Sequence, residues 1–231
     1  MLRTLKTPVA NFLRWHAVNP IVRQQRELLF QSLVDRDLAV NGVKNDFYPV
    51  GAAASYGLLY LLIRILRENE IGSIVEFGSG ESTRLIDALK KPGTYHVCYE
   101  DNPAWHEAVR TRLASCDYRL RACRARTIEG KSSAWYDAVE PVDFDLMLVD
   151  GPSGVEHFSR LGCWETISAN RKRDFILVFD DCVRPGERET LGFVRHELAA
   201  RGIDVHVQSL ESGNVPAVLC CGRYSHVRFY M

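Results

Sequence analysis

Four short apolar runs in this chain of 231 residues carry or end in acidic side chains. Glu76 lies in the run 74–77, just before Gly78. Glu100 follows 95–99, Asp150 follows 144–149, and Asp180 and Asp181 follow 175–179. A carboxylate can accept a proton, pair with two adjacent hydroxyls, or bind a hard cation. Asp150 and the Asp180–Asp181 pair end runs expected to be neighbours, so their side chains should converge on one cleft. Three carboxylates in one place repel each other unless something positive sits among them. A Mg²⁺-like ion with oxygen ligands meets that need. The competing reading is that Asp180 or Asp181 only caps the turn before Pro185.

Residues 73–83 organise the rest. Ile74, Val75 and Phe77 are β-branched or aromatic, and the run is too short for a helix, so it reads as a buried strand. Gly78 and Gly80, flanking Ser79, let the chain turn sharply and bring backbone close to a ligand. Ser82 and Thr83 are placed to cap a following helix whose free N–H groups face the turn. This is the layout of a nucleotide pocket at the first strand of a doubly wound sheet. A dinucleotide fingerprint would carry a third glycine where Thr83 stands. Glu100 comes 20 residues after Gly80, about where an acid at the end of a second strand meets ribose hydroxyls.

These residues need a scaffold. Strands are expected at 74–77, 95–99, 117–123, 144–149 and 175–179, with helices at 51–70, 82–90, 104–114, 156–169 and 187–201. The strand at 117–123 interleaves arginines with its apolar residues, which suits a sheet edge. Residues 205–210 and 216–221 flank a hairpin signal at 211–214, and 227–230 is expected to extend that edge. The predicted fold class is α/β: a doubly wound, Rossmann-like, seven-stranded, mostly parallel sheet with an antiparallel C-terminal hairpin. It is preceded by N-terminal helices, at 1–17 (basic and amphipathic) and 21–38. We divide the chain into a helical extension, 1–50, and a domain, 51–231. Phe47, Tyr48 and Ser55 would lie near the pocket.

Composition narrows the function. The formal net charge is zero, which gives a nucleic-acid partner no electrostatic support. Seven cysteines without a C-x-x-C pair suit neither zinc nor a disulfide framework and read as free thiols in a reducing compartment. No run is long and apolar enough for a membrane span. The expected location is cytoplasmic, with segment 1–17 docking on the domain, pairing in a dimer, or resting at the inner membrane face.

The acid–Gly-x-Gly-x-x-Thr pattern at 76–83 resembles the first motif of class I S-adenosylmethionine-dependent methyltransferases. The Glu100-Asp101-Asn102-Pro103-Ala104-Trp105, Asp150-Gly-Pro-Ser-Gly154, Ser159-Arg160 and Asp181-x-x-Arg184-x-x-Glu187 elements are similar to those of glucuronoxylan 4-O-methyltransferases. Metal-dependent O-methyltransferases likewise place Asp and then Asp-Asn at the two later strand ends; Asp181 stands where they have Asn. The resemblance covers residues 74–197. It implies S-adenosyl-L-methionine bound by Glu76, Gly78, Ser79, Gly80, Ser82, Thr83, Glu100, Asp101 and Asp150. It implies a divalent metal (Mg²⁺ or Mn²⁺) on Asp150, Asp180 and Asp181, although the sulfonium or a substrate amine could supply the positive charge instead. The acceptor would be a hydroxyl of a sugar or polysaccharide, with Asp150 taking its proton. Arg160 and Arg184 would face the acceptor and suit a sugar acid, unless Arg184 simply pairs with Glu187 at i,i+3. His157 would be a base or metal ligand, or a surface histidine. Two other readings stay open: a nicotinamide-dependent sugar oxidoreductase, and a non-catalytic interaction module.

Overall fold

The computed structural model describes residues 19–48 and 54–230. The expected helix at 1–17 lies outside the described residues, as does the stretch 49–53.

The order of elements is α1 (Asn19–Val40), α2 (Tyr56–Glu68), β1 (Ser73–Phe77), α3 (Glu81–Leu89), β2 (Tyr95–Glu100), α4 (Pro103–Arg110), β3 (Asp117–Leu120), β4 (Cys123–Ile128), β5 (Lys131–Tyr136), β6 (Leu146–Val149), α5 (Cys163–Ala169), β7 (Ile176–Phe179), α6 (Pro185–Ala200), β8 (His206–Ser209) and β9 (Ala217–Cys220). A 3₁₀ helix, Gly222–Tyr230, follows. Seven strands form one sheet in the order β3-β2-β1-β6-β7-β9-β8. The first five are parallel, and β9 runs antiparallel to both β7 and β8. The α/β class, the parallel sheet and its antiparallel C-terminal edge are as the sequence predicts.

Central strands β1, β6 and β7 are buried along their whole length, so both faces must be apolar. On one face Ile74, Leu146 and Ile176 pack with Leu58 and Leu62 of α2 and Val34 and Leu38 of α1. On the other, Val75, Phe77, Met147 and Phe179 meet Trp135, Trp164 and Val194. Helix α2 is apolar nearly all round because it lies between α1 and the sheet. Ser55 caps it by accepting from the Leu58 N–H at 3.2 Å, and Glu27 of α1 accepts from Tyr56 and Gly57 N–H at 2.8 and 3.1 Å.

Three expectations need correction. Only Cys163–Ala169 of the stretch 156–169 is helical; Phe158 and Arg160 have φ of 45° and 62°, which no helix accommodates. Residues 227–230 are not a strand: they belong to the 3₁₀ helix, whose Val227 and Tyr230 fill the core beside α2. The antiparallel hairpin β4–β5 was not expected. It turns at Glu129 and Gly130, both left-handed (φ 49° and 73°), in the manner of a two-residue hairpin loop. All seven cysteines are free thiols.

The strand order reverses between β1 and β6, and there the two chains nearly touch. Gly78 N–H donates to Tyr99 O at 2.9 Å, and Gly151 N–H donates to Phe77 O at 2.6 Å. A Cβ on Gly78 would come within 2.5 Å of Gly151 N, and its φ is +84°. Gly78→Ala should therefore cost about 2–4 kcal/mol, from strain plus the clash. Urea unfolding with an unchanged midpoint would contradict this packing.

Candidate active site at the carboxyl ends of the strands

A cleft of about 520 Å³ opens over the carboxyl ends of β1, β2, β6 and β7, the usual place for a ligand in such a sheet. One half is built around Glu100. Its Oε2 accepts from Ser79 N–H at 3.1 Å and Ser79 Oγ–H at 2.7 Å, and its Oε1 accepts from Asp101 and Asn102 N–H at 3.0 and 2.9 Å. The carboxylate thus ties the glycine turn to the end of β2. Asn102 then caps α4, accepting from Ala104 and Trp105 N–H, with Pro103 in the first turn. This directs the Trp105 indole back so that its Nε1–H donates to Ser79 O at 2.8 Å. Asp101 also lines the cleft; burial, then the adjacent Glu100, raises its pKa.

The other half is acidic: Asp150 and Asp181 line it, while Asp180, buried beside them, lies outside the lining. Carboxylate oxygens of Asp150, Asp180 and Asp181 lie within 4.8 Å of one another. Strand pairing sets this convergence: Asp150 N–H donates to Phe77 O and Asp180 N–H to Val149 O, so each acid leaves its strand at the same level. Arg160 lies among them, 4% exposed. Its Nη2 donates to Asp181 at 2.9 Å and its Nε to Pro152 O at 3.0 Å; Nη1 stands 3.7 Å from Asp150, and Nε 4.0 Å from Glu187. Arg184 adds contacts to Asp181 at 3.0 Å and Glu187 at 3.6 Å. Burial, followed by the charge of Asp180, pushes Asp150 well above the ordinary carboxylate range. Burial, followed by Asp181, pushes Asp180 up to about 6.

The donor set fits a hard divalent cation. Asp180 Oδ1 is buried without a hydrogen-bond partner among the described residues. Four carboxylates (Asp150, Asp180, Asp181, Glu187) face two guanidiniums (Arg160, Arg184), leaving an excess of two negative charges when all are ionised. Without a bound cation, ionised Asp180 is a liability. Its folded pKa exceeds the unfolded value, so the cost is full above pH 6 and fades as pH falls toward 4. In chelator, Asp180→Asn should therefore stabilise the fold by roughly 1–3 kcal/mol at pH 8 and by almost nothing near pH 4. Thermal melts showing a loss at pH 8 would contradict this electrostatic account.

Several expected site residues lie elsewhere. Glu76 is fully buried but not in the cleft lining: it shares the Ile74 face of β1, accepting from Ser82 Oγ–H at 2.7 Å and standing 3.1 Å from His96 Nε2. Strand alternation sends it beneath the glycine turn. Ser82 is consequently a partner of Glu76 and not a helix cap. Thr83 does the capping, its Oγ1 accepting from Gly80 N–H at 3.0 Å, and neither Thr83 nor Gly80 lines the cleft. His157 is 68% exposed and pairs with Glu189 at 3.1 Å, outside the cleft, so it is neither base nor metal ligand here. Phe47 is buried under the Arg84 guanidinium, Tyr48 is exposed, and Ser55 is the α2 cap. Arg160 and Arg184 do reach the cleft, and both pair with Asp181 there.

The structure also adds residues. Tyr136, from the unexpected hairpin, brings to the cleft a buried hydroxyl that has no hydrogen-bond partner among the described residues. Asn214, from the β8–β9 turn, reaches Asp180 Oδ2 at 3.5 Å. The Glu129–Gly130 turn pair was the sequence signal for the first.

No family model matches this chain, and no curated protein does. Solved structures do. The O-methyltransferase TomG from Streptomyces achromogenes, involved in tomaymycin synthesis and solved with S-adenosylmethionine, aligns at 17% identity and a TM-score of 0.51, over 86% of this chain and 96% of that one. A methyltransferase from Pyrococcus furiosus aligns at 16% identity and a TM-score of 0.50, over 85% and 96%. The chain has the methyltransferase fold. That likeness shows the fold alone and carries nothing about the acceptor.

Proposed function

We propose that this chain is an S-adenosylmethionine-dependent O-methyltransferase acting on a neutral hydroxyl compound, a sugar or polysaccharide being the acceptor we favour, with a divalent cation assisting. The observation that carries the reading is the division of one cleft into two halves. Glu100 and the glycine turn lie on one side, a group of acids on the other, and Gly78 and Gly151 form the floor between.

Bound in the first half, S-adenosylmethionine would supply a methyl group on a cationic sulfur. Glu100 would receive the ribose hydroxyls, and Ser79, whose hydroxyl now uses that carboxylate, would turn to make room. The acidic surroundings favour a cationic ligand over an anionic one. Asp150, Asp180 and Asp181 would hold a divalent ion, which would lower the pKa of an acceptor hydroxyl. Asp150, the most exposed of the three acids, is the group that would take the acceptor proton. Positioning of acceptor and methyl donor would supply most of the remaining rate.

An excess of acid over base around the cleft argues for a neutral acceptor. Incubation with isotopically labelled S-adenosylmethionine and matched pairs of neutral sugars and sugar acids tests this. Label should enter the neutral members and be removed by Asp150→Asn. Label only in the acids would overturn the acceptor assignment, and none in any hydroxyl compound would count against the transferase. No described helix is long and apolar enough to cross a membrane. An anchoring or dimer-forming role for segment 1–17 remains part of this proposal.

A further inference from the structure

Arg160 is the least expected member of the acidic half. A buried guanidinium is retained only where partners compensate its desolvation. Here they come from four residues: Asp150 at the end of β6, Pro152 O in the loop after it, Asp181 at the end of β7, and Glu187 in the first turn of α6. Both members of its shortest ion pair, Arg160 and Asp181, sit in the left-handed region, at φ 62° and 59°. Such backbone is costly for non-glycine residues and persists where the surroundings enforce it. The pairing is incomplete as well: Arg160 Nη1 and Asp180 Oδ1 are both buried without hydrogen-bond partners among the described residues. The cluster therefore contains a fixed positive charge and an oxygen that this charge does not reach.

We propose that Arg160 is a built-in competitor for the divalent cation, holding Asp150 and Asp181 as a tethered counter-ion and so keeping the affinity of the three-aspartate group for metal low. This rests on the cation site of the proposed function. The oxygen still free of partners, on Asp180, is where an incoming ion first gains, while Asp150 and Asp181 must be shared with the guanidinium. Arg184 acts in the same sense but more weakly, since half of its side chain is in solvent.

The test is calorimetric titration of Mn²⁺ into the full chain and into Arg160→Gln and Arg184→Gln, with S-adenosylhomocysteine titrated into the same samples. We expect Arg160→Gln to bind Mn²⁺ at least tenfold more tightly than the unaltered chain, a gain of about 1.4 kcal/mol. Arg184→Gln should gain a few-fold and, because its side chain is half exposed, serves if Arg160→Gln does not fold. Equal or weaker Mn²⁺ binding by either folded variant would overturn the proposal, as would the absence of Mn²⁺ binding in all three proteins. Failure of S-adenosylhomocysteine to bind, with the Mn²⁺ order as expected, would leave Arg160 as the competitor and count against the methyl-donor reading alone.

Discussion

Replacing Glu100 by Gln should weaken S-adenosylhomocysteine binding by about two orders of magnitude and cost about 2–3 kcal/mol of stability, because one carboxylate does two jobs. Its oxygens accept from three backbone N–H groups and the Ser79 hydroxyl. An amide in its place offers one acceptor and one donor group, and that donor would face N–H groups that have nowhere else to turn. The glycine turn would lose its tie to β2, and Trp105, which donates to Ser79 O, would lose its anchor with it. A nucleoside would then meet a loosened floor and no diol acceptor. The check pairs a denaturant melt with a calorimetric titration. Unchanged affinity in a destabilised but folded variant would mean that Glu100 only shapes the loop.

Asp150→Asn should lower methyl transfer by about 10²–10⁴-fold, the usual contribution of a positioned base, with nucleoside affinity changing by no more than a few-fold. The substitution preserves shape and removes the charge that could accept a proton. Single-turnover measurement across pH is the check: the variant loses the chemical step at every pH. A variant that keeps full transfer would move the base elsewhere.

Much of the scaffold was legible in the sequence for a physical reason. Strands buried on both faces must be continuously apolar, so 74–77, 144–149 and 175–179 were easy to find, as were the acids where they stop. Elements with one wet face were harder. Strand β4 reads Cys-Arg-Ala-Arg-Thr-Ile, and its polar residues masked a hairpin whose Trp135 and Tyr136 fill the core and cleft wall. The resemblance of 76–83 to a methyltransferase motif puts Glu76 at the pocket. Counting alternation from Val75 and Phe77 would have put it on the opposite face. The need for positive charge among Asp150, Asp180 and Asp181 was foreseen, but not that the chain supplies one itself. Arg160 enters the cluster through a left-handed turn in a stretch whose composition resembles a helix. His157, three residues away, points outward to Glu189, and no spacing rule distinguishes the two.

The central claim is that this cleft binds the nucleoside of S-adenosylmethionine across the junction of β1 and β6. Calorimetric titration of S-adenosylhomocysteine into the full chain, with NAD as the comparison ligand, tests it most directly. The account predicts saturable one-to-one binding of S-adenosylhomocysteine and no measurable heat with NAD. Silence with S-adenosylhomocysteine at millimolar concentration, or saturable binding of NAD instead, would contradict it.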